Sequence, residues 1–212
     1  MECIFYYNFA SIKPTHHMNL GYTLCRHWNL LLRLPHRCGY GIHSPYAYGL
    51  VTGVVYERTP FYAYKELHTT RDGATLREKD DRLMLRLSNF QQPATAFISE
   101  SVSGVTRRYL AAGCKQCRWI DATADQEAQS IRADMLVACG EGCVDFAAQH
   151  INRHSEKALF VLHGIRSDKK VEQKWKDICL EPNVRLSFDL YDIGLLSFDP
   201  RFPKTNYIVF YS

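Results

Sequence analysis

Short apolar runs alternate with helical stretches after Pro93. The runs are ATAFIS, CRWID, MLVAC and ALFVL, and each is followed by a segment with helical spacing. Runs that are apolar nearly throughout are typical of parallel strands covered on both faces. The alternation therefore predicts an α/β fold with βαβ units in a doubly wound sheet. The predicted strands lie near Ala96–Ser99, Cys117–Asp121, Met135–Cys139 and Ala158–Leu162.

The C-terminal part has a different pattern. VRLSFDL alternates, which places Val184, Leu186, Phe188 and Leu190 on one face, and GLLSF follows after a very short link. A link of a few residues joins antiparallel strands, because a parallel crossover needs about a dozen residues or more. We therefore expect a C-terminal antiparallel hairpin, with one further strand in NYIVFYS.

The part of the chain before Pro93 is expected to be helical. We assign residues 1–92 to an N-terminal extension with helices and residues 93–212 to the α/β domain, together forming one compact unit. Ser44 is a favourable N-cap and Pro45 occupies the first helical position. A second helix is predicted over about Lys79–Phe90, with its apolar residues on one face.

Composition excludes several classes of protein. The net charge is only +4 and the basic residues are scattered, which argues against nucleic-acid binding. No segment reaches the roughly 18 apolar residues that a membrane span requires. The N-terminus carries Glu2 and no early basic cluster, so a secretory signal is not expected. Eight cysteines without such a signal indicate free thiols in a reducing compartment, and hence a cytoplasmic protein.

Two cysteine pairs have a spacing that zinc sites also use. Cys114 and Cys117 form C-x2-C, and Cys139 and Cys143 form C-x3-C. The first pair precedes the second predicted strand, whereas Cys139 ends the next one. In a parallel sheet these two ends are separated by the length of a strand, roughly 15–20 Å at about 3.3 Å per residue. One zinc ion cannot bind both pairs over that distance. We therefore predict no metal site.

Three histidines are candidates for functional residues. His150 and His154 have i, i+4 spacing, but no HExxH motif accompanies them, so surface histidines are favoured. His163 follows the ALFVL strand and is the best single candidate for residual chemistry. Its alternative reading is an ordinary polar residue in a βα loop.

Three stretches of the sequence resemble a known family. They are GIHSP with RTPFYAYKEL; LMLRLSNFQQPATAFISESVSGVTRRYLA; and LHGIRSDKKVEQKWKDI through VRLSFDLYDIGLLSF to NYIVFY. In this order they resemble short bacterial class I S-adenosylmethionine (SAM)-dependent methyltransferases over most of residues 36–212. The resemblance implies a Rossmann-like sheet with a C-terminal antiparallel hairpin. It also implies SAM binding beyond the strand ends and an unknown small-molecule methyl acceptor.

Departures from this family concentrate at the implied cofactor turn. The turn reads Ser99-Glu100-Ser101-Val102-Ser103-Gly104, and only Gly104 matches in register. Glu100 stands where the family has glycine, which places a charged side chain where the methionine portion of SAM would lie. A glycine there allows close approach of the backbone to a ligand.

The other implied cofactor positions are partly retained. Asp121 matches the acid that accepts hydrogen bonds from the ribose hydroxyls. Cys139 and Gly140 stand where the family has Asp-Gly, and His163 with Gly164 stands where it has two acidic residues. All these positions follow predicted strands, where ligands bind in doubly wound sheets.

The connection after Asp121 is too short for the family's third strand. Only Ala122–Arg132 precedes the next apolar strand, and one βαβ crossover already takes at least about 10–12 residues. We predict a single short helix, Ala124–Ile131, and a sheet that lacks the third strand. The second strand then becomes an exposed edge that a protein partner or a second copy could pair with.

The sequence leads to a methyltransferase-like protein with a degraded cofactor site, in which SAM binding is weak or lost. The alternative is a non-catalytic pseudo-methyltransferase that acts as a binding or scaffold protein. A third possibility is a gene product without a selected role.

Overall fold

The computed structural model describes Trp28, residues 31–122 and residues 131–211. Its helices are α1 (Pro45–Leu50), α2 (Tyr64–Thr69), α3 (Glu78–Gln91), α4 (Gly104–Gly113), α5 (Cys143–Gln149) and α6 (Lys169–Leu180). Its strands are β1 (Thr95–Ile98), β2 (Arg118–Asp121), β3 (Ala133–Cys139), β4 (His154–His163), β5 (Leu186–Asp189), β6 (Ile193–Ser197) and β7 (Thr205–Ile208). Short turns of 3-10 helix (Leu34–His36) and π-helix (Val51–Val55) complete the N-terminal part.

All seven strands form one sheet in the order β2-β1-β3-β4-β6-β5-β7. The first four are parallel, whereas β6 runs antiparallel to both β4 and β5. The predicted parallel sheet and C-terminal hairpin are therefore confirmed. The last strand, β7, pairs parallel with β5.

The strand order reverses at β1, which has β2 on one side and β3 on the other. In doubly wound sheets such a switch point opens a crevice beyond the carboxyl ends of the strands. In the described part of the chain, β2 pairs only with β1 and forms one edge of the sheet. Apart from Ile131, the predicted helix Ala124–Ile131 lies outside the described residues.

The two faces of the sheet bury separate apolar clusters. One face packs Ile98 and Val137 against Met84 of α3 and Leu50 of α1. Successive strand residues point to opposite faces, so neighbours such as Phe97, Leu136 and Phe160 pack instead against α5 and α6. The fold is thus an α/β, Rossmann-like sheet, mostly parallel with a C-terminal antiparallel hairpin. No helix in the described ranges is long and apolar enough to cross a membrane.

The N-terminal helices follow from local signals. Ser44 caps α1 as predicted, since its side chain accepts a hydrogen bond from the Ala47 amide at 3.4 Å. The predicted helix near Lys79–Phe90 is α3, and its buried face includes Leu83 and Met84. Phe90, which was expected on that face, is 41% exposed. It lies in the last turn and contacts Tyr46 near the surface, with ring centroids 6.0 Å apart.

Close packing of α4 against α3 depends on Gly113. A Cβ atom at this position would lie 2.3 Å from the Leu85 carbonyl oxygen. We expect Gly113→Ala to lower the free energy of unfolding by about 1–3 kcal/mol, because the two helix backbones must separate. Gly104→Ala on the same helix is the control, since its Cβ would meet no atom within 4 Å. Urea denaturation compares them, and equal stability of the two variants would contradict this packing.

Candidate functional site

The loop after β1 is tied to the end of β3. The Ser99 amide donates to the Val137 carbonyl at 3.0 Å. The Ser101 hydroxyl lies 2.7 Å from the Ser99 hydroxyl and donates to the Cys139 carbonyl at 2.7 Å. The loop therefore crosses the crevice at the switch point and is held there by side chains.

Gly104 and Glu100 occupy the same turn without forming a glycine-rich loop. Gly104 is the first residue of α4, which Ser103 caps by accepting from the Thr106 amide at 3.2 Å. A Cβ atom at Gly104 would meet open space, so packing does not require glycine there. Glu100 is exposed at the start of the loop. The turn is thus shaped by serine hydrogen bonds.

Asp121 ends β2, and its carboxylate pairs with Arg107 of α4. The guanidinium donates to both carboxylate oxygens, at 3.1 and 2.5 Å. Arg107 also donates to the carbonyl oxygens of Val102 at 3.2 Å and Ser99 at 3.4 Å. Parallel pairing of β1 with β2 brings Asp121 beside Ile98, and this register places it within reach of α4. The acid that the resemblance assigns to a ribose is therefore engaged by the chain itself.

The strength of this pair comes from its geometry. Its side chains are 32% and 44% exposed, and ion pairs in water contribute at most about 1 kcal/mol. A bidentate arginine–carboxylate pair is stronger and more directional than a single contact. The two additional carbonyl bonds hold the guanidinium between the ends of β1 and β2.

Cys139 ends β3 and Gly140 follows it. Neither residue supplies the acid that the resemblance implies at this position. Cys139 is 5% exposed, and burial raises the pKa of its thiol to about 12, so the side chain is neutral at physiological pH. Gly140 has a φ of 78°, which favours glycine. Its amide donates to the His163 carbonyl at 2.9 Å. A Cβ at Gly164 would lie 3.1 Å from the Gly140 carbonyl oxygen, so the backbones approach closely here.

His163 ends β4 and faces a buried carboxylate on α3. Its Nε2 atom lies 3.6 Å from Oδ2 of Asp80, whose side chain is fully buried. Arg77 donates to Asp80 at 2.8 and 3.4 Å and to Asp192 at 2.8 Å. Burial alone would raise the pKa of Asp80, but the contacts with His163 and Arg77 outweigh it and hold that pKa below its usual range.

The next residue, Asp81, is also fully buried but behaves differently. It accepts from the Thr106 hydroxyl at 2.7 Å and from Arg71 at 2.6 Å. Burial raises the pKa of Asp81 despite these two bonds, and the neighbouring charge of Asp80 adds to the effect. Asp81 thus links α3 to α4, while Asp80 links α3 to the end of β4.

Sequence reasoning missed Arg107, Asp80 and Arg77 as members of this region. Acidic residues in a first helical turn are expected from the helix dipole alone, so Asp80 gave no distinct signal. Arg107 lies in an ordinary amphipathic helix. Its role depends on where the sheet places Asp121.

The surface position expected for His150 is wrong, whereas His154 is half-buried. His150 is 5% exposed, and its Nδ1 lies 2.8 Å from the Phe146 carbonyl oxygen. His154 begins β4 and stacks on Phe198 with ring centroids 3.9 Å apart. The two residues share no helix face because α5 ends at Gln149.

The two cysteine pairs lie at opposite ends of the parallel strands. Cys114 and Cys117 precede β2, whereas Cys139 ends β3 and Cys143 begins α5. Across the residues that the structure describes, no group of three or more His, Cys, Asp or Glu side chains is arranged to hold a metal ion.

No model of a protein family matches this chain, and no curated protein matches its sequence. Several solved structures are similar in fold. A Podospora anserina methyltransferase bound to SAH gives a TM-score of 0.52 at 9% identity, covering 90% of this chain and 99% of that one. An O-methyltransferase from Bacillus cereus in complex with SAH gives 0.47 at 10% identity, covering 69% and 94%. A putative caffeoyl-CoA O-methyltransferase from Staphylococcus aureus gives 0.47 at 13%, covering 72% and 96%.

The first of these similarities shows a shared fold. At the switch point, residues that the resemblance assigns to the cofactor already contact other parts of the chain. Arg107 takes up the carboxylate of Asp121, and Ser101 ties the cofactor turn to Cys139. We therefore assign no catalytic step to the cofactor in this chain.

The lowered pKa of Asp80 leads to a prediction about the stability of the fold. The folded pKa of Asp80 lies below its unfolded value of about 3.9. Its ionic contacts therefore stabilise the fold above that pH and are lost as the pH falls through the folded pKa. We expect Asp80→Asn to cost about 1–3 kcal/mol at pH 7, with a smaller cost below about pH 4.

Urea denaturation at several pH values measures this difference. The control is Asp145→Asn, which breaks a pair with Lys174 whose side chains are about half exposed. Its cost should stay within about 1 kcal/mol. A cost for Asp80→Asn no greater than that of the control at pH 7 would argue against the buried pair.

Proposed function

We propose that this chain is a methyltransferase-like protein whose cofactor site is degraded, and that it acts in the cytoplasm as a non-catalytic binding protein. The observation that carries the proposal is the bidentate pair between Arg107 and Asp121. The family resemblance of the GIHSP segment and of the C-terminal stretch supports descent from short bacterial class I methyltransferases.

A ribose ligand that binds Asp121 would have to displace the Arg107 guanidinium, which is unfavourable. A ribose hydroxyl on Asp121 would donate to a charged group, a hydrogen bond worth about 1.5–3 kcal/mol. It would first have to take the place of the bidentate guanidinium, whose bonds are to the same carboxylate. Ribose hydroxyls on Asp121 would replace the contacts of a cation with those of neutral donors. The exchange therefore brings no net gain from Asp121, which is the acidic position retained from the family.

A missing wall of the adenine site would weaken binding further. Burial of a ring-sized apolar group is worth about 1–3 kcal/mol. In the described part of the chain, no strand covers the outer edge of β2. Since about 1.4 kcal/mol corresponds to a tenfold change, two such losses shift a micromolar affinity toward millimolar.

A second candidate function is association with another chain through β2. Its supporting observation is that β2 pairs only with β1 among the described strands. Light scattering on the purified protein tests it, with Trp119→Pro in β2 as the variant because proline cannot donate to a strand partner. We expect a dimeric mass for the wild-type protein and a monomeric mass for the variant. A monomeric wild-type protein, or a mass that stays dimeric in the variant, would refute edge pairing.

SAM titration by calorimetry tests the main proposal. We expect the wild-type protein to show no saturable binding below about 100 μM. Arg107→Leu should gain weak binding, because it releases Asp121, and the added change Asp121→Ala should remove it. Arg108→Leu is the matched control on the same helix, since Arg108 contacts Thr70 instead. A wild-type dissociation constant below about 10 μM that Asp121→Ala abolishes would refute the proposal.

A further inference from the structure

A cleft lies at the carboxyl end of β4, beside the hairpin of β5 and β6, and includes His163 and Gly164 from the implied cofactor positions. It has a volume of about 260 Å³. Its charged and hydroxyl-bearing lining residues are Thr75, Arg77, Asp80, His163, Arg166, Ser167 and Asp192. Ligands of drug size occupy about 300–1,000 Å³, so this cleft suits a smaller molecule.

Two arginines that line this cleft have donors without an acceptor among the residues that the structure describes. Arg77 makes three hydrogen bonds, to Asp80 and Asp192, through Nε and Nη2. Arg166 makes three through Nη1 and Nη2, to Asp189 and the Tyr191 carbonyl. A guanidinium has five N–H donors. Within the described ranges, Nη1 of Arg77 and Nε of Arg166 therefore have no hydrogen-bond acceptor.

The guanidiniums are held in place by the carboxylates that they already contact. Asp189 accepts from Arg33 as well as from Arg166, and Asp80 is fully buried behind Arg77. Arg166 also lies over the ring of Tyr191 at 5.0 Å. Arginines fixed in this way have lost part of their side-chain entropy before a ligand arrives, which favours binding.

The chemistry of the remaining donors indicates the ligand. Planar guanidinium forks match the oxygen atoms of carboxylate and phosphate groups. Thr75 and Ser167 add hydroxyl donors at the rim, and both residues are exposed. His163 contributes a third nitrogen-bearing side chain, 21% exposed, whose ring faces Asp80.

We propose that this cleft binds a small oxyanion, a molecule that carries a carboxylate or phosphate group, between Arg77 and Arg166. The proposal deepens the binding role proposed above by naming the ligand class. It does not rest on the pair of Arg107 with Asp121, which carries the proposed function. The two ideas can therefore fail separately.

The proposal is tested by NMR. The wild-type protein is titrated separately with inorganic phosphate and with succinate, and the amide shifts are followed. We expect saturable shifts at the amides of Gly164–Ser167 and of Leu76–Arg77, with a dissociation constant below about 10 mM for at least one probe. Binding of phosphate alone would identify a phosphate group as the preferred chemistry, and binding of succinate alone a carboxylate.

Two variants make the test specific. Arg77→Gln should weaken binding at least about tenfold, a change of about 1.4 kcal/mol. Arg82→Gln is its matched control, because Arg82 is 40% exposed against 42% for Arg77 and pairs with Glu78 on the same helix. Ser167→Ala tests the site without touching an ion pair and should weaken binding about two- to fivefold.

Absence of saturable binding of both probes would overturn the proposal. So would binding that Arg77→Gln and Ser167→Ala both leave unchanged. A positive SAM titration would contradict the non-catalytic proposal and leave this site standing.

Discussion

Carboxylates at the carboxyl end of the sheet must be paired, because most of them are shielded from water. An uncompensated buried charge costs several kcal/mol, so each acid needs a cation close by. The pairs are Asp80 with Arg77, Asp81 with Arg71, Asp189 with Arg33 and Arg166, and the half-exposed Asp121 with Arg107. This requirement connects helices, loops and strands that are far apart in the sequence.

The pairing also explains how the N-terminal part is fixed to the sheet. Arg33 lies before α1 and reaches Asp189 at the end of β5. Arg71, after α2, reaches Asp81 of α3 and the Leu76 carbonyl. In the same way, Arg107 of α4 satisfies Asp121 at the end of β2 from within the chain.

Much of the architecture could be predicted because it depends on local patterns. Apolar runs gave the parallel strands, and alternation near Leu186 gave the hairpin. The extent of β4 was underestimated, because its first residues, such as His154, are not apolar. The parallel pairing of β7 with β5 could not be predicted, since alternation identifies a strand but not its neighbour.

Residues of the site could be predicted only where their own position in the sequence, such as the end of a strand, identifies them. The positions of Asp121 and His163 at strand ends followed from the strands themselves. Their partners did not, because Arg107 and Asp80 meet them only through the register of β1 with β2 and the packing of α3. Side chains that act through pairing across a fold leave no local pattern in a single sequence.

The central claim is tested most directly by a crystal structure of the protein grown with S-adenosylhomocysteine at about 5 mM. At that concentration even a ligand with a millimolar dissociation constant would fill most of the site. The account predicts that the Arg107 guanidinium remains bidentate on Asp121, with no nucleoside between the ends of β1 and β2. Ribose hydroxyls hydrogen-bonded to Asp121, with Arg107 turned away from it, would contradict the account.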